Sequence, residues 1–207
     1  MTREGILLVV SGPSGVGKGT LCAALRKEIL DIEYSVSATT RSPRPGEVHG
    51  RDYFFYTRAE FESMVKKGEL LEWAVVYNQL YGTPKEYVES VLEEGKDIIL
   101  EIDIQGARQI KQSYPKGVFV FVAPPSLEEL HKRLVQRGTD STEEIQRRLS
   151  LAQEELQRAL EYDYLVPNED LEQAVLNLKS ILLAERCRVE RIKDKITGFS
   201  KRRRSSG

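Results

Sequence analysis

Two short runs of this chain are apolar at every position, ILLVV at residues 6–10 and VFVFVA at residues 118–123. A third, DIILEIDI at residues 97–104, acquires carboxylates toward its end. Continuous runs of branched residues this short predict strands covered on both faces. Behind the first run come a glycine-rich turn and then Leu21, Leu25 and Ile29 at helical spacing, so the order is strand, loop, helix. Helical patterns follow the other two runs as well, and strands alternating with helices predict a parallel sheet of the α/β class.

The texture changes between residues 34 and 91, which are rich in Tyr, Phe, Arg and Gly. YFFY at residues 53–56 and LLEWAVVY at residues 70–77 predict strands of a small inserted antiparallel sheet. From Ser126 the chain turns helical and highly charged, with RGTDSTEE at residues 137–144 separating two helices. A last amphipathic pattern runs from Leu171 to about Ile192, with apolar residues at 171, 175, 178, 182 and 189. That stripe predicts a helix packed on the core. The closing KRRRSSG is expected to be disordered.

Composition narrows the class of protein. With 207 residues, 40% of them hydrophobic, the chain can bury one good core and carry small insertions. Lys and Arg total 31 against 32 Asp and Glu, so no global field points to a nucleic-acid partner. The four charges of KRRR at residues 201–204 read as a solvated tail. Cys22 and Cys187 match no metal-ligand spacing and are expected to be buried, reduced thiols. His49, in a polar loop, and His131, on a charged helix, are expected at the surface. No signal-peptide pattern and no run of about 20 apolar residues is found, which predicts a soluble cytoplasmic protein.

The candidate chemistry begins at SGPSGVGKGT, residues 11–20. Gly12, Gly15 and Gly17 let successive backbone N–H groups turn inward, and the following helix directs its positive end to the same place, a geometry that binds oligophosphate. Lys18 would reach the β- and γ-phosphates. Position 19, where a P-loop has its hydroxyl, is Gly19; Thr20 follows and is the candidate magnesium ligand, directly or through water.

A second anion site is suggested by TTRSPRPGE, where Arg41 and Arg44 flank a stiff, proline-containing stretch and can direct two guanidinium forks at one phosphate. Tyr53 and Tyr81 can donate phenolic hydroxyls. Glu72, a carboxylate set among apolar residues, could accept two adjacent donors such as guanine N1–H and its N2 amino group, with Thr83 offering a hydroxyl nearby. Adenine lacks that donor pair. Glu101 and Asp103 alternate, which predicts that both face one side of their strand near its carboxyl end, where open α/β sheets bind ligands.

The segments GPSGVGKGT, SVSATTRSPRPGEVHGRDYFF, LLEWAVVYNQLYGTP, EIDIQG, APPS, RLVQRGTDSTEEIQRRL and VPNEDL occur in this order along almost the whole chain, which thereby resembles the guanylate kinases of the nucleoside-monophosphate kinase group. The resemblance implies a P-loop nucleoside-triphosphate-hydrolase-type parallel sheet with helices on both faces, a small inserted α+β GMP-binding region and a helical lid. The kinase-like domain would span residues 5–185. Its core would comprise 5–33, 92–125 and 160–185, with the insert at 34–91 and the lid at about 126–159. Residues 186–207 would finish the C-terminal helix and form a basic tail.

The implied activity is transfer of the γ-phosphoryl group of ATP to GMP, with dGMP as a further acceptor and Mg2+ as the cofactor. By the same resemblance, Gly12, Pro13, Ser14, Gly15, Val16, Gly17, Lys18, Gly19, Thr20 and Asn168 bind ATP. Ser37, Arg41, Arg44, Tyr53, Glu72, Tyr81, Thr83, Glu101 and Asp103 serve GMP. The role of Glu101 stays open, because the family more often has aspartate there. Lys18, Arg41, Arg133, Arg137 and Arg148 are the candidate catalytic residues. No membrane or nucleic-acid partner is implied, and both a monomer and a homo-oligomer are compatible with the sequence.

Overall fold

The computed structural model describes residues 4–136, 138 and 141–192. In chain order the elements are β1 (Leu7–Ser11), α1 (Lys18–Glu28), β2 (Ile32–Tyr34), β3 (Ala38–Thr39), β4 (Phe54–Phe55), α2 (Arg58–Lys67), β5 (Leu70–Val76), β6 (Gln79–Pro84), α3 (Lys85–Glu93), β7 (Asp97–Glu101), α4 (Ile104–Ser113), β8 (Val118–Ala123), α5 (Leu127–Gln136), α6 (Thr142–Leu156), a 3-10 turn (Gln157–Glu161), β9 (Tyr164–Pro167) and α7 (Leu171–Arg186).

The core is a five-stranded sheet in the order β2-β7-β1-β8-β9, with every neighbouring pair parallel. Alternate residues of β1 feed two different cores, as the twofold repeat of a strand requires. Ile6, Leu8 and Val10 pack with Leu21 and Leu25 of α1 and with Leu178 and Leu182 of α7. Leu7 and Val9 meet Val88 and Val91 of α3 and Ala107 and Ile110 of α4 on the opposite face. Helices therefore cover both sides, which is why these strands read as unbroken apolar runs. One buried polar knot locks the sheet's lower edge. The fully buried carboxylate of Asp97 accepts the Ile6 amide at 2.9 Å and pairs with Arg186, at the end of α7, at 2.7 Å.

The second sheet, ordered β4-β3-β6-β5, is mixed rather than antiparallel as the sequence predicts, because β3 and β4 run parallel while β3–β6 and β5–β6 are antiparallel. The YFFY strand contracts to Phe54 and Phe55. α2 covers this sheet through Phe61, which packs with Ala38 and Leu80. It begins with a reciprocal capping box between Thr57 and Glu60 and ends at Gly68, whose φ of 68° suits glycine. α5 and α6 form a helical pair with its own small core of Leu130, Leu134, Ile145 and Ala152.

Three other expectations are corrected. The third predicted strand stops at Glu101, because the Asp103 side chain accepts the Gly106 amide at 2.8 Å and caps α4; the alternation argument for a shared face of Glu101 and Asp103 lapses with it. α7 ends at Arg186, so Leu171 and Val189 are exposed while Val175, Leu178 and Leu182 are buried. Cys22 is buried as expected, but Cys187 is exposed at the C-terminal cap of α7. His49 is exposed and His131 half-buried. Arg137 and the KRRRSSG tail lie outside the described residues.

Candidate active site

The carboxyl ends of β1, β7 and β8 converge on the glycine-rich loop. Gly12, Gly15 and Gly17 all have positive φ, at 142°, 86° and 96°. Each is also tightly approached. A Cβ on Gly12 would strike the Val122 carbonyl, one on Gly15 would lie 2.7 Å from Leu134 Cδ2, and one on Gly17 would lie 2.6 Å from Asn168 Nδ2. Gly17 occupies the N-cap of α1 and has no side chain to spend on its first amides, which leaves them directed at the loop. The Lys18 ammonium curls over the loop and donates to the carbonyls of Gly12, at 2.7 Å, and Pro13, at 3.1 Å.

The loop is braced from distant elements. Asn168 is buried, and its side-chain amide donates to the Val16 carbonyl at 2.8 Å. Arg133 on α5 donates to the same carbonyl at 3.3 Å and to the Asn168 carbonyl at 3.0 Å. Arg148 on α6 donates to Ser14 Oγ at 3.1 Å and to Glu144 at 3.4 Å. Two expected lid arginines thus touch the expected ATP loop, and Asn168, expected among the ATP-binding residues, supports the backbone of that loop.

Parallel pairing of Val10 with Glu101 carries the Glu101 carboxylate to the loop's edge. It accepts the Tyr34 hydroxyl at 3.0 Å, and both its oxygens would lie 3.4 Å from a Cβ at Gly19. Glycine at position 19 therefore makes room for a carboxylate beside the phosphate loop. Thr20 is exposed in the first turn of α1. Among the described residues no group of three or more His, Cys, Asp or Glu converges. A magnesium ion held largely by phosphate oxygens and water needs only one or two protein oxygens, and the Thr20 hydroxyl and Glu101 carboxylate fit that requirement.

In the inserted sheet, Arg41 forks onto Glu47, with its NH2 nitrogen 2.9 Å from each carboxylate oxygen, and donates to the Ser42 carbonyl at 2.7 Å. Glu47 also accepts the Arg44 amide at 2.7 Å, so one carboxylate organises both arginines. The Arg41 guanidinium stands over the Tyr53 ring at 5.3 Å, and Tyr53 meets Tyr81 edge to face at 6.1 Å. Burial, followed by the charge of Glu101, pushes the Tyr53 phenol up to about 12, so it remains a donor throughout the working range. Ser37 lies just before β3, its carbonyl accepting the Phe54 amide at 2.9 Å.

Glu72 and Thr83 are direct cross-strand partners on β5 and β6, and the Thr83 hydroxyl donates to Glu72 Oε1 at 2.6 Å. The carboxylate is only 4% exposed. It abuts the first turn of α4, where a Cβ at Gly106 would collide with Oε2, come within 2.9 Å of the carboxyl carbon and lie 3.3 Å from Asp103 Oδ1. Gly106 is a residue that the sequence reasoning passes over, although it sits in the quoted EIDIQG. Glu47 is another. Gln109 is a third: its side-chain amide exchanges hydrogen bonds with the Trp73 backbone, at 2.7 and 3.3 Å, and ties β5 to α4 beside Glu72.

Burial pushes the Glu72 carboxyl up from its ordinary 4.5 to about 7, the Thr83 hydrogen bond opposes this, and Asp103 adds to it. Burial raises Asp103 as well, against the Gly106 amide and the positive charge of Lys18. Because the folded protein holds the Glu72 proton more tightly than the unfolded chain, this stability contribution is complete below about pH 4.5 and is lost as pH rises through about 7, on the order of 3 kcal/mol. A ligand that donates two hydrogen bonds to the carboxylate reverses the preference. Affinity for guanosine, which has no phosphate to titrate in this range, is therefore expected to fall up to tenfold per pH unit below about 7. Calorimetric titration between pH 5 and 8 checks this, and a flat profile would contradict the ligand contact.

A glycine-rich loop at the carboxyl edge of a parallel sheet, braced by arginines from a helical pair, defines the class as a P-loop phosphotransferase. The sequence model described as guanylate kinase matches residues 4–185. The guanylate kinase of Desulfitobacterium hafniense (strain Y51) is 55% identical over 189 residues, covering 91% of this chain and 94% of that protein. That of Caldanaerobacter subterraneus subsp. tengcongensis is 53% identical over 192 residues, covering 93% of each. The crystal structure of guanylate kinase from Anaplasma phagocytophilum superposes with a TM-score of 0.77 at 34% identity, covering 92% of this chain and 91% of that one. The chain belongs to the guanylate kinase family, the ATP:GMP phosphotransferases.

Proposed function

We propose that ATP lies on the Gly12–Thr20 loop and GMP in the inserted region of residues 34–91, and that residues of about 126–159 act as the lid over their phosphates. The observation that carries this reading is geometric: the end of β7 and the start of α4 lie against both sites, with Glu101 packed beside Gly19 of the glycine-rich loop and, five residues on, Gly106 packed against the buried Glu72 carboxylate and Asp103. In this arrangement Lys18 moves from the Gly12 and Pro13 carbonyls to the β- and γ-phosphate oxygens. Arg41, Arg44, Tyr53 and Tyr81 grip the acceptor phosphate, which takes the place of Glu47 on the Arg41 fork. Glu72 accepts guanine N1–H and N2–H, Asp103 and Ser37 lie beside the base, and Thr83 holds Glu72 in place until its hydroxyl is called to O6.

The acceptor phosphate is largely ionised at neutral pH and needs no general base; positioning and charge neutralisation suffice for the transfer. Arg133, Arg148 and Arg137 would supply positive charge from the lid, with Asn168 keeping the loop in shape. Mg2+, held by Thr20 and Glu101, would neutralise charge on the donor phosphates when bound. Closure of insert and lid excludes water and so suppresses hydrolysis of ATP. The reading places the enzyme in the cytoplasm, recycling GMP and dGMP in purine metabolism; no helix among the described residues is long and apolar enough to cross a membrane.

The test is ADP formation from ATP and magnesium with GMP, dGMP, AMP or UMP as acceptor. Turnover is expected with GMP and dGMP and at background level with AMP and UMP. Turnover with AMP or UMP alone would overturn the assignment of Glu72, and a folded protein inert with all four would point instead to a nucleotide- or phosphopeptide-binding module.

A further inference from the structure

Tyr77 and Asn78 form the two-residue turn that joins β5 to β6, with φ of 49° and 64°. Both are left-handed, as a tight hairpin of this twist requires. Asparagine tolerates that conformation, whereas a bulky aromatic residue enters it against steric resistance and glycine enters it freely. The strained residue is also the one whose ring reaches out of the insert to the lid. Arg148 Cζ lies 4.5 Å from the centroid of the Tyr77 ring, and Arg147 Cζ lies 5.5 Å away.

Arg148 is buried, and it also donates to Ser14 of the phosphate loop and to Glu144 of its own helix. A single guanidinium therefore contacts the loop assigned to ATP, the lid and the turn of the region assigned to GMP. We propose that Tyr77 is a positioning residue that couples the two nucleotide sites by holding Arg148 on the donor loop. The inference rests on the nucleotide assignments made above. Its physical content is that the ring desolvates one face of the guanidinium and fixes the plane in which its nitrogens point at Ser14. The ring already stands over Arg148 in this structure, so a GMP-bound insert held in this arrangement keeps Arg148 on the donor loop, and an insert that swings away would release it. Any such coupling is reciprocal, so each nucleotide must tighten the other by the same factor.

Tyr77→Gly removes the ring and relieves the backbone, so the variant is expected to fold with an unchanged or higher Tm. Tyr77→Phe keeps the aromatic face. The affinity of a non-hydrolysable ATP analogue with magnesium is measured by calorimetry without and with saturating GMP, alongside initial rates of GMP phosphorylation. GMP is expected to raise analogue affinity about tenfold in the unmodified protein and in Tyr77→Phe. In Tyr77→Gly the enhancement should shrink to less than about twofold, kcat should fall about tenfold, and KM for GMP at saturating ATP should rise about fivefold or more, the reciprocal face of the lost coupling. An undiminished enhancement in Tyr77→Gly, a Tyr77→Phe protein that behaves like Tyr77→Gly, or no enhancement in the unmodified protein would each overturn the coupling. An unmodified protein that fails to phosphorylate GMP would instead remove the nucleotide assignments, a result the rate assay reports separately.

Discussion

Lys18→Ala is expected to lower kcat for GMP phosphorylation by about 10³-fold or more while leaving the fold intact. The argument rests on what the side chain touches. Its ammonium donates to two carbonyls of its own loop, those of Gly12 and Pro13, and the hydrophobic core around α1 is built from Leu21, Cys22 and Leu25. Removing the ammonium forfeits a part-buried interaction within the loop, so Tm should move by only a few degrees. The catalytic loss is large because the charge is pre-positioned at the mouth of a loop whose shape is fixed from three sides, by Asn168, Arg133 and Arg148. Steady-state rates and a thermal melt on the same preparation check both halves. Near-normal turnover would remove Lys18 from the phosphate site, and a collapsed melting transition would make it structural.

The parts of this site that are legible in the sequence are those whose chemistry is contiguous. Gly12, Gly15, Gly17 and Lys18 fall within seven residues, follow an apolar strand and begin a helix, so local geometry alone points to phosphate. The strand at Val118–Ala123 is read correctly to the residue because its burial on both faces leaves no polar position to blur its ends. What is hidden depends on contacts between residues far apart in sequence. Asn168 reaches Val16 across 152 positions and Arg148 reaches Ser14 across 134, and no periodicity encodes either. Asp103 misleads because its short side chain caps α4, ending the strand that its alternation with Glu101 seems to extend. Gly106 is invisible for a related reason: its lack of a side chain matters only because Glu72, from another sheet, is pressed against it. The parallel pairing of β3 with β4 escapes notice because two-residue strands carry too little pattern to show direction.

Glu72→Gln should separate activity from stability in opposite directions. Glutamine keeps the volume but turns one acceptor into a donor, and guanine presents two donors at this edge. One N–H of the base then meets an N–H of the protein in a site where the native side chain is 4% exposed and water cannot repair the mismatch. Rejection at such sites reaches about 10⁴-fold, so kcat/KM for GMP should fall by about 10³ to 10⁴, with ATP binding within about twofold of normal. The preference for GMP over IMP, which lacks the N2 amino group, should shrink with it. Stability should move the other way. The native carboxyl, raised to about 7, is ionised at a burial cost above that pH, and glutamine has no charge to bury. Around pH 8 the variant should therefore melt at or above the native temperature, and its advantage should fade as pH falls toward 5. A variant that loses GMP turnover by unfolding would show a lowered Tm at pH 8. A variant that loses ATP affinity while keeping GMP affinity would move Glu72 out of the acceptor site, and the guanine contact with it.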